Sequence, residues 1–380
     1  YMPGQCALTI TNGVLNGGIS LRMGQVNISG GIINSTTGNI DSPSQYYNYS
    51  GNAWLPDALY VFGGTYTSKD TDYSNSLNLN ITGGQFNCLN EEGSAVAIYD
   101  LGNVEQSANV MISNGIFTSK SATRSAYQVL SLSDIGVTSP ATGFGNSNYT
   151  GKVKSSVTGG TFSSNVAQYC AKNYYTEQNS DNTYTVKSMK DIAEAQIGDT
   201  YYKTLADAYA ALPRGTGTAP AEATTITLLK DCAGGGMGTD DDKYMNYVID
   251  FGGHTYTVGA PAVGSTGTVS QGLRVQQTST AKFMNGTLKA ADYKDLKQVV
   301  HTYGNVTFQD FTVDATEDSY AQTAYEVDNG TLKMLGNSSI LAYPGNTGLY
   351  VAFWPRNGYI DGTTVTVDTT GKITGKLVYE

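Results

Sequence analysis

Only two histidines occur in the 380 residues, His254 and His301. His254 follows a Gly252-Gly253 bend and His301 follows the apolar pair Val299-Val300. Neither has a cysteine or carboxylate at metal-ligand spacing in the sequence, and a lone histidine ordinarily serves structure. They stand about two coils apart in the repeat described below, which would allow them one shared face. The only run of acids, Asp240, Asp241 and Asp242, follows the glycine-rich stretch 233–239. It reads as a solvated loop that could hold a hard cation such as calcium only weakly. No serine lies in a G-x-S-x-G elbow, and no phosphate-binding glycine loop follows a strand. No catalytic residue is therefore assigned. Two aromatic clusters offer different chemistry: Tyr46, Tyr47, Tyr49 and Trp54 in one segment, and Trp354, Arg356 and Tyr359 in another. Ring faces pack on the C–H surfaces of sugars while nearby Asn, Asp and Arg take hydroxyls, so these are the candidate ligand-binding residues. The competing use of such rings is to pack a loop back onto its scaffold.

Composition bounds what such residues could serve. Lys and Arg number 22 against 32 Asp and Glu, a net charge of −10. That balance gives no basic footprint for nucleic acid or anionic lipid. Charged residues are 14% of the chain, against about 25% in an average soluble protein. The polarity comes instead from Asn, Ser, Thr and 45 glycines, and 11% aromatics argue against disorder. No apolar run approaches the roughly 18 residues of a membrane helix. Cys6, Cys88, Cys170 and Cys232 are far apart and form no zinc pattern; they read as single core thiols, although an even number permits disulfides. The chain begins at Tyr1 and reads as a mature or trimmed fragment of an extracellular protein.

The elements that would position these residues are announced by a repeat. Ile10-Thr-Asn-Gly-Val-Leu15 returns as Ile28-Ser-Gly-Gly-Ile-Ile33, Val61-Phe-Gly-Gly-Thr-Tyr66 and Ile81-Thr-Gly-Gly-Gln-Phe86. It returns again as Ile112-Ser-Asn-Gly-Ile-Phe117 and Val157-Thr-Gly-Gly-Thr-Phe162. The second Gly falls at 13, 31, 64, 84, 115 and 160, at gaps of 18, 33, 20, 31 and 45. Alternating apolar and polar residues make a strand with one inward face, and the Gly/Asn-Gly pair makes a bend with φ > 0. Short gaps match one coil of three short strands; long gaps match two coils or a coil with an insertion. The spacing predicts an interior ladder of stacked aromatics. A looser series follows in the second half, at Gly253, Gly286, Gly330 and Gly362.

The pattern breaks near residue 192. A short helix over 165–172, with Asn165 as N-cap, and a strand at Tyr184-Thr-Val-Lys187 would close the first coil stack. Residues 195–202 read as a hairpin with a Gly-Asp turn. Residues 204–212 read as an amphipathic helix, with Thr204 and Asp207 as a capping box and Pro213 as its stop. Residues 225–229 then form the first core strand of a second stack. The expected organisation is two tandem right-handed parallel β-helices, 1–191 and 192–380. The first has a C-terminal cap over about 163–187 and an N-terminal cap upstream of Tyr1; the second opens on its own cap helix, 204–212.

The stretches Val157-Thr-Gly-Gly-Thr-Phe-Ser-Ser164, 196–208 (QIGDTYYKTLADA), 226–231 (ITLLKD) and 249–256 (IDFGGHTY) resemble secreted or surface-anchored repeat proteins of gut-type anaerobic bacteria, which are similar to the pectate-lyase-like superfamily in fold. The resemblance implies a cell-surface structural or adhesive module presenting loops to glycans or proteins, with no catalysis. The alternative is a carbohydrate-active enzyme of the same fold, a polysaccharide lyase or glycoside hydrolase. A polygalacturonase-like site would need a His-Gly and an Arg-x-Lys, and the sequence holds neither.

Overall fold

The computed structural model describes residues 6–21, 24–35, 56–62, 77–100, 108–131, 134, 153–239, 241–265, 267–353 and 362–380. Within them the protein is all-β, built mainly from parallel sheets, with one α-helix. No helix among them is long and apolar enough to cross a membrane. The chain divides into two compact units, Tyr1–Ser188 and Met189–Glu380.

In the first unit the chain visits three sheets in rotation. β1 (Ala7–Ile10), β2 (Val14–Asn16) and β3 (Ile19–Leu21) begin the three; β4 (Gly24–Ile28), β5 (Ile32–Asn34) and β6 (Leu59–Phe62) add to each in turn. The next rounds are β7 (Leu77–Ile81), β8 (Gln85–Cys88) and β9 (Val96–Asp100), then β10 (Ala108–Ile112), β11 (Ile116–Ser119) and β12 (Tyr127–Ser131). β13 (Lys154–Val157) and β14 (Thr161–Phe162) complete the parallel series.

Each strand's inward residues meet their counterparts one round away. Ile10, Ile28, Ile81, Ile112 and Val157 form one registered column. Leu15, Ile33, Phe86, Phe117 and Phe162 form a second. The three rings of the second column stack at centroid separations of 5.0 and 4.6 Å with planes within 10°. The expected aromatic ladder is thus present. The phrase at 61–66 is the exception. Val61 registers with Leu21 and Ile98 in the third sheet, one corner out of phase with the other copies. The rest of this copy, 63–66, lies outside the described residues.

The glycine pair has two separate causes. A Cβ on Gly30, Gly83 or Gly159 would lie 2.2, 2.4 or 2.0 Å from a backbone carbonyl oxygen of an earlier round. The second position adopts φ of +87° at Gly31, +98° at Gly84, +131° at Gly115 and +103° at Gly160, where L side chains are strained. Asparagine has its own use: Asn16, Asn34 and Asn87 form a side-chain ladder with bonds of 2.7 and 3.0 Å, and Asn78 accepts from Asn109 at 2.9 Å. Such ladders give each round an extra registered bond.

β15 (Tyr174–Gln178) and β16 (Tyr184–Ser188) close the second sheet as an antiparallel hairpin on β14. Asn165 accepts from the Ala167 amide, but it is not the N-cap: Val166 holds that position without a side-chain bond, and the helix is a single 3₁₀ turn, Ala167–Tyr169. Cys170 is already extended and Asn173 has φ of +69°, so no α-helix propagates.

The second unit opens on an antiparallel hairpin, β17 (Ala195–Ile197) and β18 (Thr200–Tyr202), followed by α1 (Leu205–Ala210). Thr204 caps α1 by accepting from the Asp207 amide, and Leu205, Ala208 and Tyr209 are buried. β17 runs antiparallel to β19 (Thr224–Leu228), so the hairpin occupies the edge of the large sheet. The chain then enters β20 (Cys232–Gly235), β21 (Asn246–Asp250) and β22 (Thr255–Gly259) in that sheet, and β23 (Val263–Ser265) and β24 (Thr268–Val275) in a second. From there it alternates. β25 (Thr280–Ala290), β27 (Asn305–Asp314), β29 (Gly330–Gly336), β30 (Ser339–Leu341) and β32 (Thr363–Thr369) join the large sheet. β26 (Gln298–Thr302), β28 (Thr323–Val327), β31 (Thr347–Val351) and β33 (Lys376–Tyr379) extend the second in parallel. Ile226, Ile249, Phe283, Phe308 and Met334 form one inward column and Leu273, Val300, Tyr325 and Leu349 another.

All four cysteines are free thiols. Cys88 is buried and donates to the carbonyls of Pro56 and Asn90 at 3.1 and 3.3 Å. Burial, reinforced by Glu194, pushes the half-buried Cys232 thiol up to about 12, whereas Cys6 is exposed. Iodoacetamide at pH 8 is therefore expected to label Cys6 in the native protein and Cys88 only after unfolding, read by peptide mass. Two substitutions test the stack. Phe117→Ala should cost about 3–5 kcal/mol by opening the ring column. Gly159→Ala should lower the unfolding midpoint more than Gly13→Ala, because a Cβ at Gly159 lies 2.0 Å from the Ser113 carbonyl oxygen, whereas at Gly13 it meets nothing within 4 Å and only the φ of +104° is strained. Circular dichroism melts of the three variants check both.

Candidate functional site

The sequence candidates do not converge. Tyr46, Tyr47, Tyr49, Trp54, Trp354, Arg356, Tyr359 and Asp240 lie outside the described residues. Asp241 is exposed. Asp242, expected in a solvated loop, is buried instead: its Oδ1 accepts from Arg214 at 2.8 and 2.5 Å, and its Oδ2 accepts from the Thr239 amide at 2.7 Å. Arg214 also donates to the carbonyls of Ala210 and Leu212. Asp242 thus anchors the chain that leaves α1, and both of its oxygens are occupied. The two histidines do not share a face. His254 precedes β22 in the large sheet and makes a surface pair with Asp231 at 3.2 Å, while His301 lies in β26 of the second sheet.

His301 is where polar side chains gather. In β24, β26, β28 and β31 one residue is flanked by two inward-facing neighbours: Leu273-Arg274-Val275, Val300-His301-Thr302, Tyr325-Glu326-Val327 and Leu349-Tyr350-Val351. Alternation turns the middle residue away from the core column. Parallel register aligns Arg274, His301, Glu326 and Tyr350 on adjacent strands. Asp328, two residues after Glu326, has the same parity and reaches His301: Nε2 to Oδ2 is 2.8 Å, and Nε2 to Glu326 Oε1 is 3.8 Å. One ligand atom from each of the three residues lies within 4.8 Å of the others. On the far side of the ring, His301 Nδ1 meets the amide nitrogen of Gln271. Tyr303 tilts against the imidazole at 4.6 Å, and the Arg274 guanidinium lies over the Tyr303 ring at 5.4 Å.

The cluster is withdrawn from solvent: His301 is 5% exposed, Asp328 7% and Gln271 4%. Burial, with Asp328 adding to it and His301 opposing it, pushes the Glu326 carboxyl above the usual range. Two carboxylates this close in a low-dielectric site need a proton or a cation between them. The Tyr350 hydroxyl donates to Glu380 Oε2 at 2.6 Å, which raises its pKa to about 12. The carboxylates stand closer than the roughly 5–5.5 Å or 6.5–9.5 Å separations of retaining and inverting glycosidases. What the set fits is an ion pair or a three-donor cation site.

Known proteins add nothing to this geometry. No family model, no curated protein and no solved structure matches the chain. The cluster was missed because its members look unrelated in sequence; the available signal was their spacing, 27 residues from Arg274 to His301, 25 to Glu326 and 24 to Tyr350.

A second buried acid lies in the first unit. Asp57 accepts from the Ser94 amide at 2.7 Å and the Tyr99 hydroxyl at 2.6 Å, with Arg124 at 3.6 Å. Burial nevertheless raises its pKa. A raised carboxyl holds its proton in the folded state after the unfolded chain has lost it, so its contribution falls as pH rises from about 4. The melting temperature of Asp57→Asn minus that of the wild type should therefore grow with rising pH. A difference that is flat or shrinking would contradict the burial of this group.

Proposed function

We propose that each unit is a right-handed parallel β-helix and that the chain is an extracellular, cell-surface structural or adhesive module that presents loops to glycans or proteins. The observation that carries the reading is the inequality of the corners. In the first unit, the connection from first sheet to second is three residues in all five rounds, 11–13, 29–31, 82–84, 113–115 and 158–160. The other corners range from two residues, 17–18, to 14, 22 and 24, at 63–76, 132–153 and 35–58. One corner is held by close backbone packing while the others accept insertions. In repeat proteins such insertions commonly form the binding face. The sequence resemblance to secreted repeat proteins of gut-type anaerobes supports the surface setting.

A carbohydrate-active enzyme is the second reading, favoured by the registered column Arg274, His301, Glu326 and Tyr350. Against it stand the burial of the set and its short carboxylate separation.

Incubating the protein with soluble and insoluble polysaccharides, with calcium, separates the two. The expected result is protein bound in the pellet with no new reducing or unsaturated ends. Trp54→Ala and Trp354→Ala should each weaken binding about 10-fold. New ends abolished by Glu326→Gln would establish the enzyme. Neither binding nor new ends would leave a spacer or a protein-binding module.

A further inference from the structure

We propose that His301, Glu326 and Asp328 form a binding site for one divalent transition-metal ion of the zinc type. This site is independent of the loop-presenting role. Two adjacent strands build it. β26 supplies Nε2 of His301, and β28 with the residue after it supplies Oε1 of Glu326 and Oδ2 of Asp328. Donors of a four-coordinate zinc, each about 2.0–2.2 Å from the metal, stand about 3.3 Å from one another. The observed Nε2 separations of 2.8 and 3.8 Å bracket that value, and all three donor atoms lie within 4.8 Å of one another. Three protein donors leave a fourth position for water. One imidazole with two carboxylates suits a transition ion, whereas calcium takes six to eight oxygens.

Gln271 supplies the independent observation. It is 4% exposed, its side chain reaches His301 Nδ1, and its Oε1 has no hydrogen-bond partner among the described residues. A half-turn of the amide exchanges its oxygen and nitrogen. Oε1 then accepts from Nδ1–H and gains the partner it lacks. That tautomer frees the Nε2 lone pair, which faces two carboxylates. A lone pair opposed to two anions in a buried site takes either a proton or a metal ion, and the three converging donors suit the ion. A metal-bound histidine that donates its other N–H to an outer acceptor has this arrangement, and Gln271 is the positioning residue. On metal binding any proton on Nε2 leaves to solvent, and the ion takes its place against Asp328. Arg274, one strand further from the carboxylates, lies over Tyr303 rather than between the donors.

The test is zinc titration of the tag-free, chelator-treated full chain by calorimetry, followed by X-ray absorption of the zinc-loaded wild type. The expected result is one equivalent of zinc, little affinity for calcium, and a first shell of one imidazole nitrogen with oxygens and no sulfur. His301→Gln and Asp328→Asn should weaken binding by more than 10-fold. Gln271→Leu should weaken it by about 10-fold while keeping the one-imidazole signature. His254→Gln should change nothing. Absence of zinc binding, a shell with sulfur or no imidazole, or unchanged affinity in His301→Gln would overturn the assignment. Should a variant fail to fold, the wild-type absorption spectrum still decides, because a buried His301 ion pair without metal yields no such shell.

Discussion

Register between successive rounds is the constraint on which the first unit depends. A parallel ladder bonds evenly only when each round presents its strands at the same height as the last. The backbone must therefore turn the first corner in the same three residues each time. At Gly30, Gly83 and Gly159 the turn passes so near an earlier carbonyl that no side chain fits. That close approach holds Ile28, Ile81, Ile112 and Val157 in one column and lets Phe86, Phe117 and Phe162 stack face to face. Insertions are excluded where backbones touch and accumulate at the other corners. The capacity to carry long segments and the regularity of the core thus have one origin.

The second unit meets the same requirement with different residues. The backbone bends within β25 at Asn285 and within β27 at Asp310, with φ of +57° and +54°, and β29 ends on Gly336 at +66°. These are residue types that tolerate left-handed backbone. Its core mixes Tyr, Phe, Leu and Val, so rings meet edge to face, as Tyr247 does with Phe283 at 6.1 Å and 76°. Both ways fill the interior: the first unit stacks its phenylalanines face to face, while in the second even the registered pair Phe283 and Phe308 meets edge to face at 70°.

Buried charge is handled differently in the two units. Asp57 is enclosed by donors on neighbouring segments, and its role ends with satisfying them. Around His301 two carboxylates face one imidazole nitrogen, Gln298 bonds to Glu326, and the Gln271 oxygen is left over. Buried polar atoms ordinarily find partners, so the orphaned oxygen marks this cluster.

The all-β class, the aromatic column, the hairpin over 195–202 and the Thr204 cap were legible in the residues themselves, because alternation, glycine pairs and capping boxes act over a few positions. The place of Val61 in the third sheet was not, since alternation does not say which sheet a strand joins. The helix over 165–172 shrank to one 3₁₀ turn because the backbone is already extended at Cys170. Asp242 read as solvent-facing until Arg214, 28 residues away in sequence, turned it inward. The site depended most on the third dimension. Sequence alone singled out His301, after Val299-Val300, and did not connect it with Glu326 or Asp328. Tertiary structure decided that their strands are neighbours in register, because inter-strand hydrogen bonds, and not chain proximity, bring residues 25 positions apart to within 4 Å.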